Sequence, residues 1–208
     1  MRVDLLKASE AQFFARYPLG FEDPEMLEIR KRHQVDKMHK MALEYLCEER
    51  FSFVEEVLEN IIKITTRSSL VSVFEKPKFR DFMKSLSSVE KEIYVNGLKE
   101  FLHGDQAKGF HMMIDILDRG KLAKWSLLTV CFYYYYPQTE VFIKPTTAKG
   151  IIDIFEFESL VYKPRPTYDF YVTYRERLME FRKRANPAIA PDNAAFSGFL
   201  MMAMEQFQ

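Results

Sequence analysis

Apolar and polar positions alternate along most of this chain with the period of an α-helix. The clearest stretch runs from residue 53 to residue 62, where apolar side chains recur one and four positions apart and glutamates occupy the positions between them. Side chains with these spacings lie on one face of a helix. The pattern therefore predicts a well-buried helix here, with its acidic face in water.

Similar patterns, together with start and stop signals, predict further helices on both sides of this one. The predicted ranges are 9–17, 24–47, 78–86, 88–102, 105–117, 146–155, 167–185 and a last helix from residue 192 onward. Asp23 before Pro24, Ser87 or Ser88 before Glu90, and Asp105 are residues typical of helix N-termini. Pro77 is predicted to break or kink the chain before residue 78.

The segment KWSLLTVCFYYYYP, residues 124–137, is ambiguous because its length suits a buried helix and its aromatic and β-branched content suits a strand. We favour a helix. Consecutive tyrosines point to every side of a helix, so some of them should lie on the surface or at a contact with another chain. The alternative is that they are ordinary core residues.

The pattern changes near residue 140. VFIKP and FESLVYKP are β-prone and each ends at a proline, whereas TTAKGIIDIF between them is helical. The sequence therefore predicts a mainly α fold, a single multi-helix domain over residues 1–208 with a small β element near residues 140–163. In this reading residues 1–136 form a helical body, and residues 137–208 add the strand-helix-strand element and two C-terminal helices.

Composition and charge narrow the class of protein. Hydrophobic residues make up 48% of the chain and the formal net charge is zero, so any basic site must be local. The two cysteines, Cys47 and Cys131, lie in apolar contexts and are predicted to be free thiols in a reducing compartment. The chain shows neither a signal-peptide pattern nor an apolar run long enough for a membrane span. We expect a cytoplasmic protein with no membrane partner.

The common catalytic and cofactor motifs are missing from the sequence. No phosphate-binding glycine loop, nucleophile elbow, zinc helix or paired-cysteine motif is present, so no catalytic residue, cofactor or metal is predicted. His33 and His39 are six positions apart and do not face one metal on a helix. A ligand cluster of His103 and His111 near Asp105 is conceivable, but we favour ordinary histidines on either side of a capping aspartate.

The best remaining signal is the helix start in the segment VFIKPTTAKGII. Thr146 or Thr147 should cap this helix, while Lys149 places a cation in the first turn, where the helix dipole disfavours it. With Lys144 before the cap and Gly150 allowing close approach of the backbone, this arrangement is typical of a helix N-terminus that faces phosphate or carboxylate. The alternative is a capping threonine beside two solvated lysines.

A second group of basic and aromatic residues follows between residues 162 and 184. The candidate ligand-binding residues in it are Lys163, Arg165, Tyr168 and Arg175. Interleaved tyrosines and cations can stack bases and hold phosphates. The alternative is an amphipathic helix with its tyrosines inside and its arginines in water.

These observations favour a non-enzymatic binding protein that contacts a phosphate-bearing ligand, with nucleic acid as the expected partner. The alternative is an oligomeric interaction or scaffold protein that forms a homodimer through the tyrosine cluster and the methionine-rich C-terminal helix. An enzyme without a recognised motif is a third hypothesis.

Overall fold

Residues 1–205 are described by the computed structural model, and they form eleven α-helices and three short 3₁₀ helices. The α-helices are α1 Val3–Arg16, α2 Pro24–Arg32, α3 Val35–Tyr45, α4 Val54–Arg67, α5 Glu75–Ser85, α6 Ser88–His103, α7 Gln106–Arg119, α8 Trp125–Tyr135, α9 Pro145–Ile154, α10 Tyr168–Arg182 and α11 Asn193–Met204. Buried side chains from Leu6 to Met204 belong to one hydrophobic cluster. The prediction of a mainly helical fold is confirmed.

The predicted β element is wrong, because residues 1–205 contain no strand. Residues 141–143 are irregular and buried, and their backbone N–H groups donate to side chains instead of to a second strand. The N–H of Ile143 donates to Thr129 Oγ1 (3.0 Å), and the carbonyl of Glu140 accepts from Asn193 Nδ2 (3.0 Å). The second β-prone segment forms turns, with positive φ angles at Glu156 and Ser159. Tertiary partners have overridden the β propensity of both segments.

The long helix predicted over residues 24–47 is divided into α2 and α3. Asp23 caps α2 and Pro24 is its first residue, as predicted. The helix then ends at Arg32, because Gln34 adopts a left-handed conformation with a φ of 52°. Such a conformation interrupts the helical hydrogen bonds. Across this junction Arg30 bonds to Asp36, with 2.7 Å between Nη2 and Oδ1.

The other helix starts mostly follow the sequence. Ser87 and Glu90 form a complete capping box on α6, and Asp105 and Asp192 cap α7 and α11. The break predicted at Pro77 is wrong: this proline lies in the first turn of α5, where its missing N–H has no helical partner to lose.

Helix α8 lies at the centre of the fold, and all of its residues are buried. Its helical state is confirmed. Of the four consecutive tyrosines, Tyr136 is 38% exposed, so one of them lies at the surface as expected, whereas Tyr133, Tyr134 and Tyr135 are buried as in the alternative of ordinary core residues. Helices α3, α4 and α6 pack against α8, and Tyr133, Tyr134 and Tyr135 lie in the core.

Helices α6 and α7 form a tightly packed antiparallel pair. A β-carbon added at Gly109 would lie 2.4 Å from the carbonyl oxygen of Gly97, so the two helices approach each other glycine to glycine. The short connection at residues 104–105 keeps the pair local in sequence.

Among residues 1–205, no helix combines the length and the apolar character that crossing a bilayer requires.

Candidate functional site

A cavity of about 410 Å³ lies between α2, α8, α9, α10 and α11. Its walls are mostly apolar and include a few polar side chains. The apolar side comes from Phe21, Met26, Ile29, Val35, Leu70, Tyr133, Phe142, Ala148, Tyr174, Ala194, Ala195, Met201 and Met202, and the polar side from Arg30, His33, Ser69, Lys144, Thr147, Asp192 and Ser197. This size and this mixture are typical of pockets for small organic ligands.

The start of α9 forms one wall of the cavity. Lys144 is the N-cap residue, and Pro145 is the first residue of the helix. Thr146 and Thr147 therefore lie inside the first turn, and the prediction that one of them caps the helix is wrong. No side chain among the described residues caps this N-terminus. Its first N–H groups, with the positive end of the helix dipole, remain available to a ligand or to water.

Lys144 and Thr147 carry the polar character of this wall. Thr147 is 9% exposed and lines the cavity, and its hydroxyl forms no hydrogen bond within residues 1–205. Lys144 is exposed at the rim and forms no ion pair within the described part of the chain. A hydroxyl donor and an unpaired cation therefore face the same space.

The opposite wall carries a second group of donors, at the end of α2. His33 Nδ1 lies 2.8 Å from Ser69 Oγ, so the ring is held at the cavity. Within residues 1–205 no carboxylate orients the other ring nitrogen, so this serine and histidine lack the third member of a hydrolytic triad. Arg30 also lines the cavity, but it is engaged by Asp36 and by Asp192, the latter 3.4 Å away.

Asp192 and Tyr133 form the polar floor of the cavity. Asp192 is 4% exposed, caps α11 through the N–H of Ala195 (2.8 Å), and accepts a hydrogen bond from the hydroxyl of Tyr133 (3.3 Å). Burial and the neighbouring carboxylate raise the pKa of Tyr133 well above its ordinary value. The tyrosine is therefore a neutral donor at physiological pH, and the charge of Asp192 is balanced by Arg30.

The remaining residues of the predicted helix-start site lie elsewhere. Thr146 and Lys149 are exposed and do not line the cavity. Gly150 does not serve backbone approach to an anion: a β-carbon there would meet Met204 Sδ at 2.6 Å, so the glycine lets α9 pack against α11. The structure thus brings Lys144 and Thr147 to one cavity and separates the other residues from it.

The basic and aromatic residues of the 162–184 segment are scattered by the fold. Arg175 is bound to the buried Glu140, with 2.8 Å between Nη1 and Oε1, and Arg165 pairs with Asp118. Tyr168 packs against Phe110, and the carbonyl of Lys163 accepts a hydrogen bond from Trp125 Nε1 (2.7 Å). Two of the cations that would meet phosphates are therefore already paired within the protein.

The residues of the oligomeric alternative are partly buried. Tyr133, Tyr134 and Tyr135 lie in the core and Tyr136 is exposed, while in α11 Met204 is buried, Met202 is half-buried and Met201 is exposed. His103 Nε2 lies 2.9 Å from the carbonyl oxygen of Leu46, and His111 Nδ1 lies 2.7 Å from that of Ala107. No group of three or more potential metal ligands occurs among the described residues.

Sequence reasoning missed Arg30, His33 and Asp192. The basic run at residues 30–32 has the pattern of a solvated helix face, and the left-handed Gln34 that turns its end toward the cavity has no signal in the sequence. More than 150 residues separate Arg30 from Asp192, so spacing cannot connect them.

In comparisons with known proteins, no family model, no curated protein and no solved structure matches this chain.

Proposed function

We propose that this protein binds a small amphiphilic anion, a molecule with an apolar body and one carboxylate or phosphate group, in the cavity between α2, α9 and α11. The observation that carries the proposal is the union of an apolar cavity of about 410 Å³ with the uncapped start of α9. An apolar wall alone would fit any hydrophobic molecule, and a helix start alone would fit any anion.

The anionic group has a specific place in this proposal. Lys144 at the rim, the hydroxyl of Thr147 and the first N–H groups of α9 converge on one side of the cavity. Hydrogen bonds from charged or dipole-aligned donors to an anion are stronger than those between neutral groups. The apolar body would then lie against Phe142, Met201 and Met202, and methionines adapt to varied ligand shapes.

A small ligand agrees with these contacts better than the nucleic acid expected from the sequence. Nucleic acid needs an extended surface of unpaired cations. Arg175 and Arg165 are engaged by carboxylates, and Lys144 is the cation at the cavity without an ion pair in the described residues. Nucleic-acid binding remains a prediction of the sequence, and the experiment below distinguishes it.

The test is calorimetric titration of the purified chain with octanoate, decanoate, dodecanoate and the corresponding alkyl phosphates. The controls are alcohols of equal length, inorganic phosphate and a short RNA oligonucleotide. We expect saturable binding of the amphiphilic anions, with an affinity that rises with chain length until the cavity is full. The alcohols and inorganic phosphate should each bind weakly, because each lacks half of the ligand.

Three variants localise the binding. Lys144→Met should weaken it about five- to tenfold through the loss of one charge-assisted contact. Lys149→Met is the matched control, since this lysine belongs to the same helix but does not line the cavity. Gly198→Leu should block binding while the protein stays folded, because Gly198 lines the cavity and a β-carbon there meets no atom within 4 Å.

Two results would contradict the proposal. Unchanged binding of the amphiphiles by Gly198→Leu would place them outside the cavity. Salt-sensitive RNA binding that exceeds amphiphile binding and is unaffected by Gly198→Leu would restore nucleic acid as the partner.

A further inference from the structure

The turn between α4 and α5 exposes two large apolar side chains side by side. Val73 is 68% exposed and Phe74 is 80% exposed, and Phe74 is the most exposed large apolar side chain among residues 1–205. Isolated apolar residues on a surface are ordinary, whereas neighbouring exposed apolar residues form a contiguous patch, and such patches mark candidate interaction sites.

The turn is held in this shape from within. Val71, two residues earlier, is 3% exposed and anchors the segment in the core. Ser72 then closes the turn: its Oγ accepts from the N–H of Phe74 (3.3 Å), and its carbonyl accepts from the N–H of Glu75 (3.0 Å). Val73 and Phe74 therefore project from an ordered backbone and have no alternative core position.

Two lysines and one glutamate follow the tip. Lys76 and Lys78 lie two and four positions after Phe74, and neither forms an ion pair with any residue that the structure describes. Lys78 is four positions after Phe74, so the two side chains lie on the same side of the α5 start. The acidic residue between them and the tip, Glu75, is bound to Lys124 at 3.0 Å. Two lysines without a carboxylate partner in the described residues therefore border the tip.

We infer that the Val73–Phe74 tip inserts into the surface of an anionic lipid bilayer, with Lys76 and Lys78 at the phosphate level. A convex tip with two apolar side chains offers too little area for a stable protein interface, which needs a broad complementary patch. A bilayer requires only shallow insertion, about 5–10 Å deep, together with attraction between cations and anionic lipids. The missing membrane span does not bear on this contact, which lies at the surface.

The tip and the cavity share one segment of chain. Ser69 and Leu70 line the cavity, and Val73 follows three residues later. A bilayer contact at the tip would bring the cavity within about 10 Å of the membrane surface, since a fully extended residue spans about 3.3–3.6 Å. The inference itself rests on exposure and charge, so it can hold or fail independently of the proposed ligand.

The experiment is co-sedimentation of the full chain with vesicles of phosphatidylcholine, with and without phosphatidylserine. We expect binding to the anionic vesicles, little binding to the neutral ones, and loss of binding at high salt. Phe74→Ser should weaken binding about tenfold, and the double variant Lys76→Glu with Lys78→Glu should weaken it by at least as much. Circular dichroism should show an unchanged fold for both, because these side chains are not part of the core.

Phe53→Ser is the matched control. Phe53 is 62% exposed, but it is followed by Glu55 and Glu56 instead of lysines, so its loss should leave vesicle binding unchanged. Gly198→Leu should also bind vesicles normally, which separates this test from that of the cavity. Equal binding to neutral vesicles, no binding to anionic vesicles, or a self-association abolished by Phe74→Ser would overturn the inference; the last result would assign the tip to a second copy of the chain.

Discussion

The buried ion pair of Arg175 and Glu140 allows a quantitative prediction for a single substitution. The side chain of Glu140 is 4% exposed, and both of its carboxylate oxygens lie 2.8 Å from Arg175 Nη1. The hydroxyl of Tyr171 donates to it at 2.6 Å and Gln106 Nε2 at 3.1 Å. Arg175→Met would keep the apolar stem of the side chain but leave the carboxylate buried with neutral donors alone.

The expected cost follows from this geometry. Removal of one partner from a buried, hydrogen-bonded ion pair costs about 3–5 kcal/mol, because the remaining charge stays desolvated. For a chain of this length, each kcal/mol lowers the thermal midpoint by about 2–4 °C. Arg175→Met should therefore lower the midpoint by roughly 6–20 °C in unfolding followed by circular dichroism.

Two controls separate the buried charge from the loss of an arginine as such. Arg165→Met removes an arginine whose pair with Asp118 is exposed, with side chains 58% and 40% accessible, and should cost less than about 1 kcal/mol. Adding Glu140→Gln to Arg175→Met should recover part of the loss, since no unpaired charge then remains. Equal midpoints for Arg175→Met and Arg165→Met would refute the reasoning.

Three further predictions concern packing, thiol reactivity and pH. Gly109→Ala should cost about 1–3 kcal/mol in urea unfolding, because its β-carbon would lie 2.4 Å from a backbone atom of α6, whereas Gly198→Ala should stabilise the chain by about 0.5–1 kcal/mol. Burial raises the pKa of the Cys131 thiol to about 12, so a thiol reagent at neutral pH should modify only Cys47 until denaturant is added. The capping-box hydrogen bonds lower the pKa of Glu90 to about 2, so its contribution is present above the ordinary value of 4.5 and lost as pH falls toward 2; Glu90→Gln should flatten the stability profile across that window.

Helix starts were readable from the sequence because their signals are local. Asp23, Ser87 and Asp105 cap helices through side chains that reach only two or three residues along the chain. The conformation of the two β-prone segments was predicted wrongly because it depends on residues that are distant in the sequence. The backbone of residues 141–143 bonds to Thr129 and, more weakly, to Tyr171, which no pattern within the segment reveals.

For the candidate site, too, the sequence predicted the part that depends on local signals and missed the part that depends on distant residues. The helix start at residues 144–150 was identified because proline, threonine and lysine cluster there, and it does border the cavity. The opposite wall depends on the left-handed Gln34 and on α11, which meets α2 only in the folded chain. Gly150 shows the limit of local reading, since a glycine in a helix start suits helix packing as well as anion binding.

The hydrogen bonds that hold residues 137–143 in place also bear on the order of folding. The α6–α7 pair can form early, because its contacts are close in sequence. Residues 137–143 acquire their hydrogen bonds only when α8, α10 and α11 are all in place, through Thr129, Tyr171 and Asn193. We therefore expect the cavity beside them to be completed late in folding. A molecule held there would slow unfolding and leave the refolding rate nearly unchanged.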